Sequence, residues 1–596
     1  MVPREVYQQL ISVYQSKFRK ISKELLFISF TRLATFILLV LSAIFLPKSG
    51  EAVLVPVLVM WLALFLFLVK KYISKEKEKE FYGNLILING NELKAMDGDF
   101  SSFKDGNEFA DIHHPYSYDL DLFGPRSFFQ FINRTSTQLG KKKLASLLNF
   151  CETNPDKIRK KQDAIEELAK KLDWRQHFAA KGKTDADQHD FDLITEWSAT
   201  SFKLRNERAI SFLIIILPVL TLGSIILSVF SFISWNVVLI LVLSQWMVYG
   251  FSGKMIKHFH RQFGSRSEIL AKYTEMLHDI ESTDFRSEYL QQIKQDLYFQ
   301  NMPASRISRD LMKLIGELDY GRNLIVSLIL NSVFLWDIRC IYKLSKWHQK
   351  YHQVFDKWFG VLADFDALSC FGNFNYNHGD WAVPVLVNGG FTLIAEELGH
   401  PLISSKKRID NNFRLEGAGK LAIITGANMA GKSTFLRTVG INMLLAMNGC
   451  KVCARQMQVT PVSLYTNMRT TDNLMNDESY FYAELLRLQQ LLEKLRAGEK
   501  LFVIIDEMLK GTNSVDKLNG SKELIKQLIS LKTVGIVATH DLKLTELEKQ
   551  FPESIQNQCF EVQLTDDDLS FDYRLRDGVT STMNATFLMK KMGIIG

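Results

Sequence analysis

The segment "LAIITGANMAGKSTFLRTVG", residues 421–440, constrains the fold of this chain more than any other stretch. An apolar β-type run, Leu421 to Thr425, enters a loop bounded by Gly426 and Gly431. Lys432, Ser433 and a helix-compatible stretch follow at once. The spacing G-x-x-x-x-G-K-S is that of a phosphate-binding loop. A triphosphate needs many short donors with no side chains in the way. Glycines at the loop ends let consecutive backbone N–H groups turn inward, and a helix N-terminus adds positive potential. The expected nucleotide-binding residues are therefore Gly426, Ala427, Asn428, Met429, Ala430, Gly431, Lys432, Ser433 and Thr434. Lys432 is expected to reach the β- and γ-phosphates, and the Ser433 hydroxyl to join a magnesium shell.

Two further apolar runs supply partners. Leu501 to Ile505 ends in Asp506-Glu507. An acid at the tip of a buried parallel strand holds Mg2+ directly or through water, and Glu507 beside it orients or deprotonates the attacking water. Val534 to Ala538 ends in Thr539-His540-Asp541, which sets His540 where it senses the γ-phosphate. Spacing alone thus predicts a magnesium-dependent ATPase with ATP and Mg2+ as ligands. Its catalytic set is Glu507, Asp506, Lys432 and His540, with Ser433 and Asp506 at the metal.

"IITGANMAGKSTFLR", "FVIIDEMLKGTNSVDKLNG" and "GIVATHDLKLTELE" resemble the ATPase domain of the MutS mismatch-repair family, an α/β P-loop fold with an ABC/MutS-like parallel-sheet core. "DNLMNDESYFYAELLRL" is similar to the family's signature segment, and "GHPLISSKKRIDNNF" to its lead into the domain. The resemblance implies a composite site in a homodimer. In it Ser479 reaches the nucleotide of the opposite subunit, and Ile409 lies near the adenine. Independently, Leu485, Leu488, Leu492 and Leu495 repeat at helical spacing from a start near Asp477, predicting one packed face.

Upstream, "FFQFINRTSTQLGKKKLASLL" (128–148), "NPDKIRKKQDAIEELAKKL" (154–172) and "LADFDALSCFGNF" (362–374) resemble the family's all-α core/lever region. Asn154 caps a helix with Pro155 at its first position, and Ile158, Ile165, Leu168 and Leu172 fall on one face. Two departures stand beside these matches. The family's mismatch sensor wedges a phenylalanine, with a glutamate two residues on, into the duplex. Nothing before Phe128 offers that pair, and the one instance, Phe551-Pro552-Glu553, lies inside the ATPase region. The chain ends at Gly596, directly after the last ATPase-like helix, so the family's C-terminal helix-turn-helix is expected to be missing.

The N-terminal part is apolar instead. Ala52 to Val69 has no charge, Leu25 to Pro47 only Arg32, and Ala209 to Gly253 is a 45-residue uncharged run broken near Ser234-Trp235-Asn236, in a chain that is 23% charged. A bilayer core takes about 20 apolar residues per helix. The expectation is two transmembrane helical hairpins, with spans near 25–47, 52–69, 209–231 and 235–253. Lys17, Arg19, Lys20, Lys23, Lys70, Lys71, Lys75, Lys77 and Lys79 flank the first; Lys203, Arg205, Arg208, Lys254, Lys257 and Arg261 flank the second. By the positive-inside preference both bases face the cytoplasm, as do the core and ATPase regions. Some 24 mostly polar residues before the first run, with no small-residue cleavage site, argue against a signal peptide. The 14-residue run Asn323 to Trp336 is expected to pack inside the helical region.

The layout follows: 1–80 with the first hairpin, 81–125 a mostly irregular connection, 126–375 a helical core interrupted by the second hairpin, and 376–596 the ATPase domain. His113-His114-Pro115 read as loop residues. The net charge of +7 is a membrane-flank feature, since residues 1–80 hold 12 Lys/Arg against 6 Asp/Glu and leave the remaining 516 residues at +1. Composition therefore does not point to nucleic acid. Six cysteines suit a reducing compartment, and the lone Cys450-x-x-Cys453 pair reads as buried small residues, with no zinc site expected. The function expected is a membrane-anchored ATPase whose cycle is coupled, by resemblance, to binding DNA, nominally mismatched DNA. Its rivals are a membrane-tethered signalling or scaffolding ATPase and an ABC-type exporter. The exporter is opposed by the lack of an L-S-G-G-Q-type segment.

Overall fold

The computed structural model describes residues 2–45, 51–183, 204, 206–263, 267–469, 480–509, 513–564 and 569–580. Two long antiparallel helices open the chain, α1 (Pro3–Phe45) and α2 (Glu51–Met96). At about 1.5 Å per residue each is roughly 65–70 Å long, about twice a bilayer's hydrocarbon core. The outer halves expose Phe27, Phe30, Phe36, Val59 and Phe67, while the inner halves bury Tyr7, Tyr14, Ile21 and Leu85. Arg4 pairs with Asp97 at the base, and the Phe36 and Phe65 rings meet in the outer half. Residues 81–96 are therefore not part of an irregular connection, as the sequence reading has it, but the last turns of α2. Leu85, Asn89 and Glu92 recur at helical spacing on its buried face. Turns and one short 3-10 segment, Asn107–Phe109, follow.

The helical core consists of α3 (Phe128–Ile132), α4 (Gln138–Leu148), α5 (Pro155–Lys170) and α6 (Leu172–Gly182), then, beyond the second apolar pair, α7 (Glu207–Val229) and α8 (Trp235–Phe251). It continues with α9 (Gly253–Phe263), α10 (Ser267–Ser282), α11 (Glu288–Gln295), α12 (Ala304–Asp319), α13 (Leu324–Phe334) and the 42-residue α14 (Trp336–Asn377). Asn154 caps α5 by accepting from Asp156 and Lys157 N–H. Ile158, Ile165 and Leu168 are fully buried, but the helix ends at Lys170 and Leu172 opens the next one. Residues 362–374 lie in the inner part of α14.

A buried polar knot fastens the first hairpin to this core. The Tyr7 hydroxyl donates to Asn377 Oδ1 (2.7 Å), and Asn377 and Asn373 donate to the Glu92 carboxylate (2.9 and 3.1 Å). Arg134 closes it with a 2.5 Å ion pair to Glu92.

Among the described residues, α1, α2 and α7 are by length and composition long and apolar enough to cross a membrane, and up to five spans result if each of two bent pairs counts as one. The arm expected at 235–253 is such a pair, since α8 bends by 61° into α9. The other pair corrects the expectation for 323–336. Leu324 and Ile325 are 83% and 70% exposed, so α13 does not pack inside the helical region but flanks α7 and α8 with one face open.

The C-terminal region is α/β. After a short β1–β2 ladder (Tyr298–Phe299, Met302–Pro303) in the core, β3 (Val385–Leu386), β4 (Thr392–Leu398), β5 (Asn411–Glu416), β6 (Leu421–Gly426), β7 (Gln456–Val459), β8 (Ser463–Asn467), β9 (Leu501–Asp506), β10 (Val534–Thr539), β11 (Ile555–Leu564) and β12 (Leu569–Asp577) form two sheets. The larger has the order β12-β11-β6-β10-β9-β8, parallel throughout except for β12. Strands β6, β9 and β10 are buried at every residue, as their uninterrupted apolar runs require. The smaller sheet, β3-β7-β4-β5, packs beside it. The helices of this region are α15 (Lys432–Met447), α16 (Tyr480–Arg496), α17 (Ser514–Ser530) and the single-turn α18 (Leu547–Gln550). On α16 the buried stripe is Leu488, Leu491 and Leu495, with Leu485 exposed, a one-step rotation from the expected face.

Candidate functional site: a strand-tip nucleotide pocket

Parallel strands β6, β10 and β9 are neighbours, so their C-terminal tips bring residues 426–433, 539–540 and 506–507 to one edge of the sheet. The loop after β6 turns on Gly426 and Gly431. A Cβ on Gly426 would meet the Phe560 carbonyl oxygen at 2.9 Å, and Gly431 takes a φ of +107° directly before α15. Ala430 is buried between the exposed Asn428 and Met429 and the helix.

Lys432, 5% exposed, folds back so that Nζ donates to the carbonyls of Gly426 (2.6 Å) and Ala427 (3.0 Å). Its ammonium is held at the mouth of the loop, where phosphate oxygens bind in such loops. The Ser433 hydroxyl donates to Asp506 Oδ2 at 2.5 Å, which puts two hard oxygen donors side by side. Glu507 follows with φ +60°, a left-handed backbone held by its own N–H donating to the Ala538 carbonyl (3.0 Å). Its carboxylate is 3.2 Å from His540 Nδ1. A cavity of about 420 Å3 opens over these groups. Its walls include Ile409, Asn428, Lys432, Thr434 and Glu507, together with His400, Asn411 and Tyr573, which the sequence reading missed. Ser479 lies outside the described residues. Every other expected site residue lines this cavity or is bonded to a residue that does.

Two acidic side chains missed by sequence reasoning brace the site. Glu484 on α16, 1% exposed, accepts the Leu509 N–H at 2.6 Å, two residues after Glu507. Asp119, fully buried in the turns before α3, accepts from Thr466 Oγ1 (2.7 Å), Met468 N (3.1 Å), Arg469 N (2.9 Å) and Arg487 Nη2 (3.1 Å). Its own carbonyl accepts from Arg437 on α15 at 2.9 Å. A polar residue amid the leucines of α16 is the only sequence signal for Glu484; Asp119 has none. His114 lies in turns, with Tyr116 and Ser117 N–H donating to its Nδ1. Cys450 and Cys453 are both fully buried.

Known proteins line up on this same region. Residues 422–590 match the family model described as MutS domain V. The chain is 34% identical over 204 residues to the DNA mismatch repair protein MutS of Aquifex pyrophilus, covering 33% of this chain and 23% of that one. It is 25% identical over 315 residues to MutS protein homolog 4 of Homo sapiens, covering 51% and 31%. The match spans roughly a quarter to a third of the length of these curated relatives. The domain that carries this pocket is of MutS type, and over it the chain is similar to members of the MutS family.

Proposed function

We propose that the protein is a membrane-anchored ATPase of MutS type, which binds and hydrolyses ATP with Mg2+ and couples that cycle to gripping DNA. The observation that carries this reading is the convergence of Lys432, Ser433, Asp506, Glu507 and His540, from three separate strand tips, at one cavity edge. The donor set suits the ligands. The Ser433 hydroxyl and Asp506 carboxylate are hard oxygens fit for magnesium, and Lys432 with the loop amides suits the phosphates. Bound magnesium supplies neutralisation of the β- and γ-phosphate charge. Lys432 would exchange its loop carbonyls for phosphate oxygens, and Asp506 with Ser433 would hold the metal. Glu507 positions the water that attacks the γ-phosphorus, releasing ADP and phosphate, and His540 links γ-phosphate occupancy to Glu507.

In this reading two ATPase domains face each other, Ser479 of each completing its neighbour's pocket, and hydrolysis switches the dimer between open and closed states. Four apolar spans hold it in a bilayer, with the core and ATPase regions on the cytoplasmic side. Support for the anchor comes from the exposed apolar outer halves of α1 and α2 and from the cations that flank them. Support for DNA is the likeness to the bacterial relative, a DNA mismatch repair protein. A second reading, a clamp that acts on a protein, is favoured by the charge of only +1 on residues 81–596.

Gel-shift titration of the detergent-solubilised full chain with homoduplex and mismatched duplex, with and without ATP, separates the two. A shift at low salt supports DNA. No shift there removes it, because phosphate contacts are strongest at low ionic strength.

A further inference from the structure

Helix α13 contains no charged residue, and its two faces differ in kind. The inward face is polar and fully engaged. Asn331, 1% exposed, donates to Ser327 Oγ (3.0 Å) and Asp337 Oδ2 (3.2 Å), and its own Oδ1 accepts from Asp337 N–H (3.0 Å). Ser332 Oγ accepts from Trp246 Nε1 on α8 at 2.9 Å. These bonds fix the rotation of the helix about its axis. The outward face is Leu324, Ile325, Leu328 and Ile329, all more than half exposed. That is the inverse of an ordinary amphipathic surface helix, whose polar side meets water.

The surroundings say what covers this face. It continues the exposed apolar surfaces of α7 and α8, where Ile215 and Ile240 are equally open. The Asn323 side chain accepts from the Ile325 and Val326 N–H groups, so two of the orphan amides at the helix start are satisfied without water. At Leu335, fully buried with φ +48°, the chain turns by 78° into α14. Eleven residues span about 16 Å, roughly half of a hydrocarbon core. The contact with Trp246 lies in the last third of α8, near the base of the second hairpin.

We propose that α13 is a half-helix embedded in the bilayer, and that Leu324, Ile325, Leu328 and Ile329 form a contact surface for phospholipid acyl chains of the leaflet at the hairpin base. The proposal rests on the membrane-anchored reading above and adds to its four spans a fifth, non-crossing element. It also accounts for the polar inner face, because in lipid the polar groups of a helix must find partners inside the protein.

Site-directed spin labelling of the full chain in phosphatidylcholine–phosphatidylglycerol vesicles tests it. The six native cysteines are buried, so a nitroxide reports an introduced one. Ile325→Cys and Ile329→Cys are compared with Ile215→Cys and Ile240→Cys as lipid references and with Lys406→Cys as the aqueous reference. Labelled chains are first checked for ATP retention. The expected result is that collision with oxygen over a water-soluble nickel chelate at 325 and 329 matches that at 215 and 240, several-fold above 406. A ratio like that at 406 overturns the proposal. So does protection from both reagents with label–label broadening, which means a second copy covers the face. If 215 and 240 also read as aqueous, the membrane reading itself fails.

Discussion

Glu484 and Leu509 are joined by a 2.6 Å hydrogen bond that ties the first turns of α16 to the turn carrying Glu507. Leu509 has φ +57° and Glu507 +60°, so this turn holds two left-handed residues whose geometry the surrounding structure must impose. Replacing Glu484 by Ala leaves a buried N–H without its charged acceptor and is expected to cost about 2 kcal/mol of stability. ATP turnover is expected to fall more than ATP affinity, with Glu484→Gln intermediate in both. Steady-state kinetics beside chemical denaturation measure this. An equal loss in kcat and affinity would show that Glu484 acts on the whole domain and not on the Glu507 turn.

Glu507→Gln keeps the size of the side chain and removes its basicity. Turnover is expected to drop by about 10²-fold or more, while labelled ATP stays bound on a filter. Unaltered turnover refutes the assigned role. Lys432→Ala is expected to lose retention itself.

Asp119→Ala takes the carboxylate from the partly buried Arg487 guanidinium, which keeps its carbonyl acceptors, and leaves the Met468 and Arg469 amides without theirs. The expected cost is about 3–5 kcal/mol, the range for removing one partner of a buried pair, with Asp119→Asn milder. Thermal melts measure it. A change under 1 kcal/mol would mean that the joint between the turns 97–127 and the ATPase region is solvated.

Acidification is expected to destabilise the fold. Burial pushes the His378 and His400 rings down to about 4 from an ordinary 6.5. Between those values the unfolded chain binds protons that the folded chain does not, so stability falls with falling pH, by up to about 3 kcal/mol per ring. Asp366 opposes this. Burial raises its carboxyl from 3.8 to about 6, against hydrogen bonds from Ser136 and Thr137. The folded chain therefore takes up that proton first, between pH 6 and about 4, and regains about 3 kcal/mol. Melting temperature should fall from pH 7 to 4, and fall more steeply in Asp366→Asn. A shallower slope in that variant contradicts the assignment.

What could be read from residues alone was whatever is local. The phosphate loop, Asp506 and His540 are adjacent to apolar runs whose tips a parallel sheet must align, so their meeting follows from strand order. The end of α2 was hidden because Gly83 and Gly90 resemble helix breakers, and the spacing of Leu85, Asn89 and Glu92 makes sense only once a partner helix is known. The outward face of α13 was hidden because a short apolar run carries no period that separates interior from lipid. Glu484 and Asp119 act across 25 and about 350 residues of chain, and no spacing rule reaches that far.

The two helices of the first hairpin run unbroken from their exposed apolar halves to the knot at Tyr7 and Glu92. No flexible tether intervenes between those apolar halves and the helical core. In the membrane-anchored reading proposed above, a bilayer that thins or thickens must tilt such rods or strain their fastening, which makes membrane thickness a mechanical input to the helical core, delivered without any ligand.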